Sequence, residues 1–164
     1  MTLDDSTIPQ GCWIQPVAGE AHYEFWIGMD CLGTLSRSVS EPLKMQAKMA
    51  GNTWIFRPIG DRLMLFDSTE DRSVGAFSGV RDRRGSLVVS DAVFAWSYTH
   101  MWLNKWQWNE RGEPVMFFRV GLRPRKREAD VMLCEPIHPK HAVLLCFGWY
   151  LLVHSARDGR GVID

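Results

Sequence analysis

Short stretches of alternating apolar and polar residues, separated by turn-forming residues, run along most of this chain. Between Leu43 and Met49, for example, the odd positions are apolar and the even positions are Lys or Gln, and Gly51-Asn52 then turns the chain towards Trp54. Alternation with a period of two is typical of antiparallel strands with one buried face. The pattern therefore predicts a mainly β protein built from strands joined by short turns.

Three tryptophans, Trp13, Trp54 and Trp96, mark an internal repeat, because they lie 41 and 42 residues apart. Each is followed twelve residues later by an aromatic residue and 22 or 23 residues later by another apolar residue. The first set comprises Phe25, Phe66 and Trp108, and the second comprises Leu35, Phe77 and Phe118. Self-similarity at this length indicates one supersecondary unit that is used several times and cannot bury its apolar face alone.

The repeat divides the predicted strands into units of four. Two units are complete, the first lacks its opening strand, and one further strand follows the last unit, which gives twelve strands. The predicted strands cover residues 12–15, 23–29, 32–36, 43–49, 54–56, 63–66, 74–77, 86–89, 93–98, 106–108, 115–118 and 130–133.

One segment, from Ala142 to Val153 (AVLLCFGWYLLV), is apolar on every side and predicts a helix. Pro139 suits a first helical turn, and Arg157 and Gly159 suit its end. A helix without a polar face must be surrounded by protein or by lipid. Spanning a bilayer requires about 20 apolar residues, so protein is the favoured surrounding.

Twelve strands and one apolar helix together predict a closed antiparallel barrel that encloses the C-terminal helix, because cans of about eleven strands have room for a central helix. A propeller is the main alternative, but three units are fewer than its usual four or more blades, and it offers the helix no interior. Gly148, in the middle of the helix, predicts close approach to another backbone. The chain is interpreted as a single domain spanning residues 1–164, with barrel strands in 11–134, the helix in 139–156, and flexible ends at 1–10 and 160–164.

Two strand-and-turn segments and the terminal helix resemble those of a known group of proteins. The strand-and-turn segments Leu65-Phe66-Asp67 and Trp106-Gln107-Trp108-Asn109, followed by the terminal LLCFGWYLLV helix, are similar to those of the tubby C-terminal-like superfamily, which includes tubby domains, phospholipid scramblases and LURP-one-related proteins. The resemblance extends roughly from Trp13 to Gly159 and is greatest to short bacterial members. It implies a twelve-stranded barrel around a C-terminal helix. Tubby domains bind phosphoinositide headgroups through basic exterior residues, although no matching motif is placed residue by residue here.

The strongest candidate for anion binding is a run of five cations within nine residues, in a stretch marked as a loop by Gly121 and Pro124. Such a run can hold a phosphate or face an anionic membrane. The alternative is a solvated loop whose charges protect a strand edge from pairing with other chains. The run consists of Arg119, Arg123, Arg125, Lys126 and Arg127, and a weaker cluster consists of Arg81, Arg83 and Arg84.

Two other groups of residues are better explained by structure than by ligand binding. Cys134, Glu135, His138 and His141 lie within eight residues, but no second half of a zinc site accompanies them, so no metal site is predicted. An aromatic-rich stretch is interpreted as barrel packing, with only the loop Thr99 to Asn104 left as a place for a ligand. Its members are Trp96, Tyr98, His100, Trp102, Trp106 and Trp108.

Composition and motifs narrow the function without fixing it. The 19 basic and 19 acidic residues give a formal charge of zero, which argues against a nucleic-acid partner. Four cysteines without close pairing and no secretory signal predict a cytoplasmic protein, at most peripheral to the inner face of the membrane. Because no catalytic or cofactor motif is present, we expect a non-enzymatic binding or scaffold protein without a cofactor or transmembrane segment, which engages anionic lipid headgroups or a protein partner through exterior loops. The alternative is an enzyme or binding protein for a small molecule at a barrel rim.

Overall fold

A computed structural model describes residues 10–79, 84–100, 104–121, 126–134 and 139–157. Within these residues the chain forms twelve strands followed by one helix, in the order expected from the repeat. The strands are β1 (Gln10–Ile14), β2 (His22–Ile27), β3 (Asp30–Arg37), β4 (Met45–Met49), β5 (Asn52–Ile59), β6 (Arg62–Asp67), β7 (Ser73–Ser78), β8 (Arg84–Val89), β9 (Ala92–His100), β10 (Lys105–Glu110), β11 (Glu113–Val120) and β12 (Glu128–Leu133), and the helix is α1 (Pro139–Arg157).

The strands form a closed antiparallel barrel in which each strand pairs with its neighbours in sequence. β1 closes the ring by pairing with β12, with Trp13 opposite Ala129. The predicted fold class is confirmed, and the propeller alternative is excluded because the sheet is continuous. Predicted end segments 1–10 and 160–164 lie outside the described residues, except for Gln10, which begins β1.

Helix α1 runs through the interior of the barrel, and every residue from Ala142 to Val153 that has a side chain is buried. Gly148 packs closely against the barrel wall, because a Cβ atom added there would lie 2.6 Å from Cζ of Phe118 and 2.8 Å from Nε1 of Trp108. The sequence predicted close approach to another backbone, whereas the neighbours are aromatic side chains. The indole of Trp108 uses this space to donate a hydrogen bond to the Leu144 carbonyl oxygen at 3.0 Å.

The tryptophan repeat corresponds to every fourth strand, since its members lie on β1, β5 and β9. Trp13 is paired directly with Phe25, and Trp96 with Trp108. In the middle unit the register differs, because Trp54 lies opposite Asp67. The aromatic-rich stretch is barrel packing where it is described: the rings of Trp96 and Trp106 stack at 5.3 Å, and both residues are buried.

Two local predictions were off by one or two residues. The β4–β5 turn is Ala50-Gly51, with φ of 53° and 76°, and not Gly51-Asn52. Both central residues of a type I′ hairpin turn have positive φ, which explains this position. β4 starts at Met45 and leaves Leu43 in the preceding connection, 46% exposed. In the described part of the chain, no helix has the length and hydrophobicity that a membrane crossing requires.

Candidate functional site

The antiparallel barrel has two ends with different charge. One end, here called the basic end, carries the β1–β2, β3–β4, β5–β6, β7–β8, β9–β10 and β11–β12 connections. The other, here called the acidic end, carries the remaining five hairpin connections and the start of α1. The charge of each end is therefore the sum over the described residues of its connections and the two strand or helix residues that flank each connection.

At the basic end cations outnumber carboxylates by eight to four, and at the acidic end carboxylates outnumber cations by seven to four. Glu70 of the acidic group forms an ion pair with Lys44 of the basic group. This pair cancels one charge from each group, so the asymmetry remains. The basic end carries Arg37, Lys44, Arg62, Arg84, Lys105, Arg119, Lys126 and Arg127 against Glu20, Glu41, Asp61 and Glu128. The acidic end carries Asp30, Asp67, Glu70, Asp71, Asp91, Glu110 and Glu113 against Lys48, Arg72, Arg111 and Lys140.

The structure places three of the five predicted anion-binding cations at the basic end. Arg119 is exposed near the end of β11, and Lys126 and Arg127 directly precede β12. The hydrogen bond from the Gly121 N–H to the Glu128 carbonyl oxygen, at 2.9 Å, closes the connection between them. Arg123 and Arg125 lie outside the described residues, as do Arg81 and Arg83 of the weaker cluster, while Arg84 is exposed at the start of β8.

Two of these cations sit beside each other on neighbouring strands. Lys105 of β10 is directly opposite Arg119 of β11, and Asp130 of β12 is directly opposite Arg119 on its other side, so this unfavourable pair of like charges has one carboxylate beside it. The Lys105 ammonium lies 4.1 Å from the centre of the Phe117 ring. Among the described residues, neither Arg119 nor Lys126 has a carboxylate within ion-pair distance. Both charges are available to a ligand.

Within the described residues, the backbone of Arg127, unlike that of Lys126, is fixed by a hydrogen bond to a buried side chain. Its backbone N–H donates to Oε1 of Gln15 at 2.9 Å, and the Gln15 amide nitrogen donates to the Glu20 carbonyl oxygen at 2.8 Å. Gln15 is itself buried, so this arrangement ties the β11–β12 connection to the β1–β2 connection. The buried Nη1 atom of the Arg127 guanidinium has no hydrogen-bond acceptor among the described residues. An unsatisfied buried donor is unfavourable, but an atom without accessible surface can contact an anion only if its side chain moves.

The basic end also carries an exposed apolar group, here called the apolar lip, that consists of Val39, Leu43 and Ile59. Val39 is fully exposed, and Leu43 and Ile59 are 46% and 47% exposed. Leu43 and Ile59 share a shallow groove of about 510 Å³ between the β3–β4 connection and the end of β5. The sequence prediction missed this group, because Leu43 was assigned to a strand and Val39 lies in a short polar stretch.

At the acidic end, Glu110 joins the barrel to the helix. One of its carboxylate oxygens lies 3.4 Å from the Lys140 ammonium and 3.5 Å from Nε2 of His141. His141 is buried, and its ring meets that of Phe94 edge to face with centres 6.4 Å apart. The helix has no acidic residue in its own first turn, so Glu110 supplies the negative charge that a helix N-terminus favours.

A cleft of about 1040 Å³, here called the rim cleft, lies beside this contact between the β8–β9 and β10–β11 turns. Trp54 and Phe94 contribute aromatic surface, and Gln107 and Asn109 contribute amides that are joined by a 2.8 Å hydrogen bond. Its size is slightly above the usual range of small-molecule sites, which is about 300 to 1,000 Å³. Glu110 was not singled out from the sequence, because its partners lie 30 and 31 residues further along the chain.

The residues considered for metal binding do not come together as a site in the described part of the chain. Cys134 is exposed, and its backbone N–H donates to the Val115 carbonyl oxygen at 3.0 Å. His141 contacts Glu110 inside the barrel mouth. Glu135 and His138 lie outside the described residues, and no group of three potential metal ligands occurs within them.

Comparison of the chain with known protein families, with curated proteins and with solved structures gave no match.

Proposed function

We propose that this protein is a non-enzymatic binding module that engages anionic lipid headgroups through the basic end of the barrel. The observation that carries the proposal is the separation of charge between the two ends of a chain whose formal charge is zero. A separated charge orients a protein towards an oppositely charged surface even when its net charge is zero. The cations Arg119 and Lys126, which are exposed and have no ion pair among the described residues, support the same assignment.

The expected strength of this attraction is modest. A Lys or Arg near an anionic bilayer contributes roughly 1 kcal/mol. The excess of three or four cations at the basic end therefore gives about 3 to 4 kcal/mol, which corresponds to a dissociation constant near 1 mM. Electrostatics of this size produces reversible, salt-sensitive association.

The resemblance to the tubby C-terminal-like superfamily points in the same direction and is part of the proposal. Tubby domains bind phosphoinositide headgroups through basic residues on the outside of a barrel. Here the cations that would do so are Arg119, Lys126 and Arg127, together with Arg123 and Arg125 of the same sequence run. Membership of the superfamily is part of the proposal, and peripheral membrane association is the expectation that a vesicle experiment addresses.

Co-sedimentation with neutral and anionic liposomes, at low and at physiological salt, tests the proposal. The double variant Arg119→Glu, Lys126→Glu should lose at least tenfold in binding to anionic vesicles, because two exposed charges are reversed. Its matched control is Arg72→Glu, Arg111→Glu, which changes the net charge equally at the acidic end and should bind like the parent protein. Equal losses in both variants, or no binding by the parent protein, would refute the proposal.

A second candidate function is the binding of a small molecule in the rim cleft, with or without catalysis, and the size of the cleft is the observation that favours it. Glu110 already contacts Lys140 and His141, so its charge is balanced. The rest of the lining combines aromatic, amide and small apolar residues with the opposite charges of Asp91 and Arg111, so the cleft has no net charge and suits a neutral polar ligand.

A thermal-shift screen of neutral polar compounds tests this second candidate. Val93 lines the rim cleft and is 56% exposed, so Val93→Arg should fill the cleft without disturbing the core. A compound that raises the melting temperature of the parent protein should have no effect on this variant. Compounds that stabilise both proteins bind elsewhere, and a screen without any stabilising compound argues against the candidate.

A further inference from the structure

We infer that the apolar lip inserts into the acyl boundary of an anionic bilayer while the basic end contacts the headgroups. This inference rests on the proposed function and deepens it, because it specifies a lipid surface and not a soluble phosphate. Electrostatics alone gives weak association, and a membrane-binding surface of this kind requires an apolar contribution as well.

The position of the apolar lip fits insertion. Val39, Leu43 and Ile59 lie at the same end as the excess cations, as does Val17 of the β1–β2 connection. The other exposed large apolar side chains of the described residues lie elsewhere on the barrel, and they are Met29, Leu32, Val88 and Val93. Ile59 is directly opposite Arg62 across the β5–β6 pair, and Arg62 is exposed. Arg37, also exposed, ends β3 two residues before Val39. Apolar tips flanked by arginines match the boundary between acyl chains and phosphates.

The β3–β4 connection that carries Val39 and Leu43 is held by backbone hydrogen bonds. The Ser38 N–H donates to the Lys44 carbonyl oxygen at 2.8 Å, and the Lys44 N–H donates to the Glu41 carbonyl oxygen at 3.1 Å. These bonds close the connection into a compact turn that points Val39 outward. Little conformational entropy would be lost when such a turn enters a bilayer.

Ion pairs fix the same turn to the barrel wall. Lys44 pairs with Glu70 of the β6–β7 connection, and the Arg57 guanidinium lies 3.6 Å from Glu70 and 3.9 Å from Glu41. Arg57 also lies over the Phe66 ring, at 4.9 Å from its centre. Two carboxylates near the apolar lip, Glu41 and Glu70, are thus paired with cations of the barrel, which lowers the repulsion between the lip and an anionic surface. Asp61 in the β5–β6 turn has no ion pair among the described residues.

The excess cations and the apolar lip together favour a bilayer as the binding partner of this end. A soluble phosphate would engage the cations but gain nothing from three exposed apolar side chains, whereas a lipid surface offers phosphates and hydrocarbon at the right separation. Burial of one valine and the exposed halves of a leucine and an isoleucine would raise partitioning by about a hundredfold or more. That increase would turn a millimolar attraction into a micromolar one.

The test compares Val39→Asp with Val88→Asp, a matched control at an exposed position of β8 that lies outside the apolar lip. On vesicles of phosphatidylcholine and phosphatidylserine, Val39→Asp should bind at least tenfold more weakly than the parent protein, and Val88→Asp should bind equally well. Both variants should keep the parental melting temperature, because both side chains are exposed.

A second measurement places the lip in the bilayer directly. An environment-sensitive fluorophore attached to Cys introduced by Val39→Cys, in a background of Cys31→Ser and Cys134→Ser, should shift to shorter wavelength on anionic vesicles and be quenched by lipids labelled in the acyl chain. The same fluorophore introduced by Val88→Cys should do neither.

The outcomes separate the inference from the function on which it rests. Parental binding that Arg119→Glu, Lys126→Glu weakens and Val39→Asp leaves unchanged would overturn the inference and keep the proposed function. A fluorophore at position 39 that stays in a polar environment on the vesicles would do the same. Absence of parental binding to anionic vesicles would remove the proposed function, and the inference with it.

Discussion

The two ends of the barrel use their charged residues differently. At the acidic end, Glu110 contacts Lys140 and His141, so that a carboxylate of the barrel holds the start of α1. At the basic end, Arg119 and Lys126 are exposed and have no carboxylate partner among the described residues. Charges that hold a fold together are satisfied within it, whereas charges left unsatisfied on one face are available to a ligand. The comparison therefore separates a structural contact at Glu110 from unpaired charges at Arg119 and Lys126, although the basic end also holds the Lys44–Glu70 ion pair.

Net charge conceals this difference. The chain has equal numbers of basic and acidic residues, and from that balance alone no electrostatic partner is expected. The antiparallel barrel sorts the charges by sending alternate connections to opposite ends. The electrostatic character of the protein therefore depends on topology as well as on composition.

The largest effect is expected from changing the core that both ends share. Gly148→Leu should lower the free energy of unfolding by about 3 kcal/mol or more, because the added side chain would overlap Phe118 and Trp108 in a closely packed interior. Urea denaturation measures the change, and Val88→Leu, at an exposed site, should stay within about 0.5 kcal/mol of the parent. A parental unfolding midpoint for Gly148→Leu would mean that the helix is not enclosed.

A smaller effect is expected from the acidic end alone. Glu110→Gln should lower the free energy of unfolding by about 1 to 2 kcal/mol, because it removes a partly buried charge that contacts Lys140, His141 and the helix N-terminus. Glu113→Gln is the control, since Glu113 is exposed three residues away.

Vesicle binding by Glu110→Gln and Glu113→Gln tests whether the two ends of the barrel act independently. Both should bind anionic vesicles like the parent protein, because the acidic end faces away from the membrane in the proposed orientation. A loss for Glu110→Gln as large as that for Arg119→Glu, Lys126→Glu would show that the two ends are not independent.

The smallest effect concerns the reactivity of the cysteines. Cys31 and Cys134 are exposed and lie at the acidic end, so maleimide should modify both quickly at neutral pH. Burial raises the pKa of the Cys12 thiol, and the carboxylates of Asp130 and Glu128 raise it further. Burial also raises the pKa of the Cys146 thiol inside the barrel. Since the thiolate is the reactive form, these two cysteines should react slowly.

The same reaction reports the orientation of the protein on a membrane. Mass spectrometry of the vesicle-bound protein should show Cys31 and Cys134 modified at nearly the rate found in solution, and a Val39→Cys variant modified more slowly at the new position. Protection of Cys31 and Cys134 by vesicles would contradict the proposed orientation.

Much of the fold could be predicted from the sequence because strand alternation and the tryptophan repeat are local patterns. They specify all twelve strands, and the wholly apolar helix then requires a closed interior. The error in the pairing predicted for the middle repeat has a local cause. Trp54 faces Asp67 in place of its repeat partner, because Phe66 pairs with Ile55 on the opposite face, beside a register shift in the β6–β7 pair.

Less of the candidate site could be predicted, because its parts meet only in the folded chain. Arg119, Lys126 and Arg127 were identified because they are close in sequence. The contribution of Arg62 and the apolar lip depends on which end of the barrel each connection reaches. That assignment becomes available only when the strand order is known.

The position of α1 in the chain has a consequence for folding. The helix follows all twelve strands, so during synthesis the inward-facing side chains of the whole barrel emerge before the element that covers them. The ring also closes through β1 and β12, whose partners Trp13 and Ala129 are far apart in sequence. Contacts of such long range slow folding and leave apolar strands exposed to association meanwhile. We therefore expect the barrel to assemble late and cooperatively, with the helix as the element that makes the closed state stable.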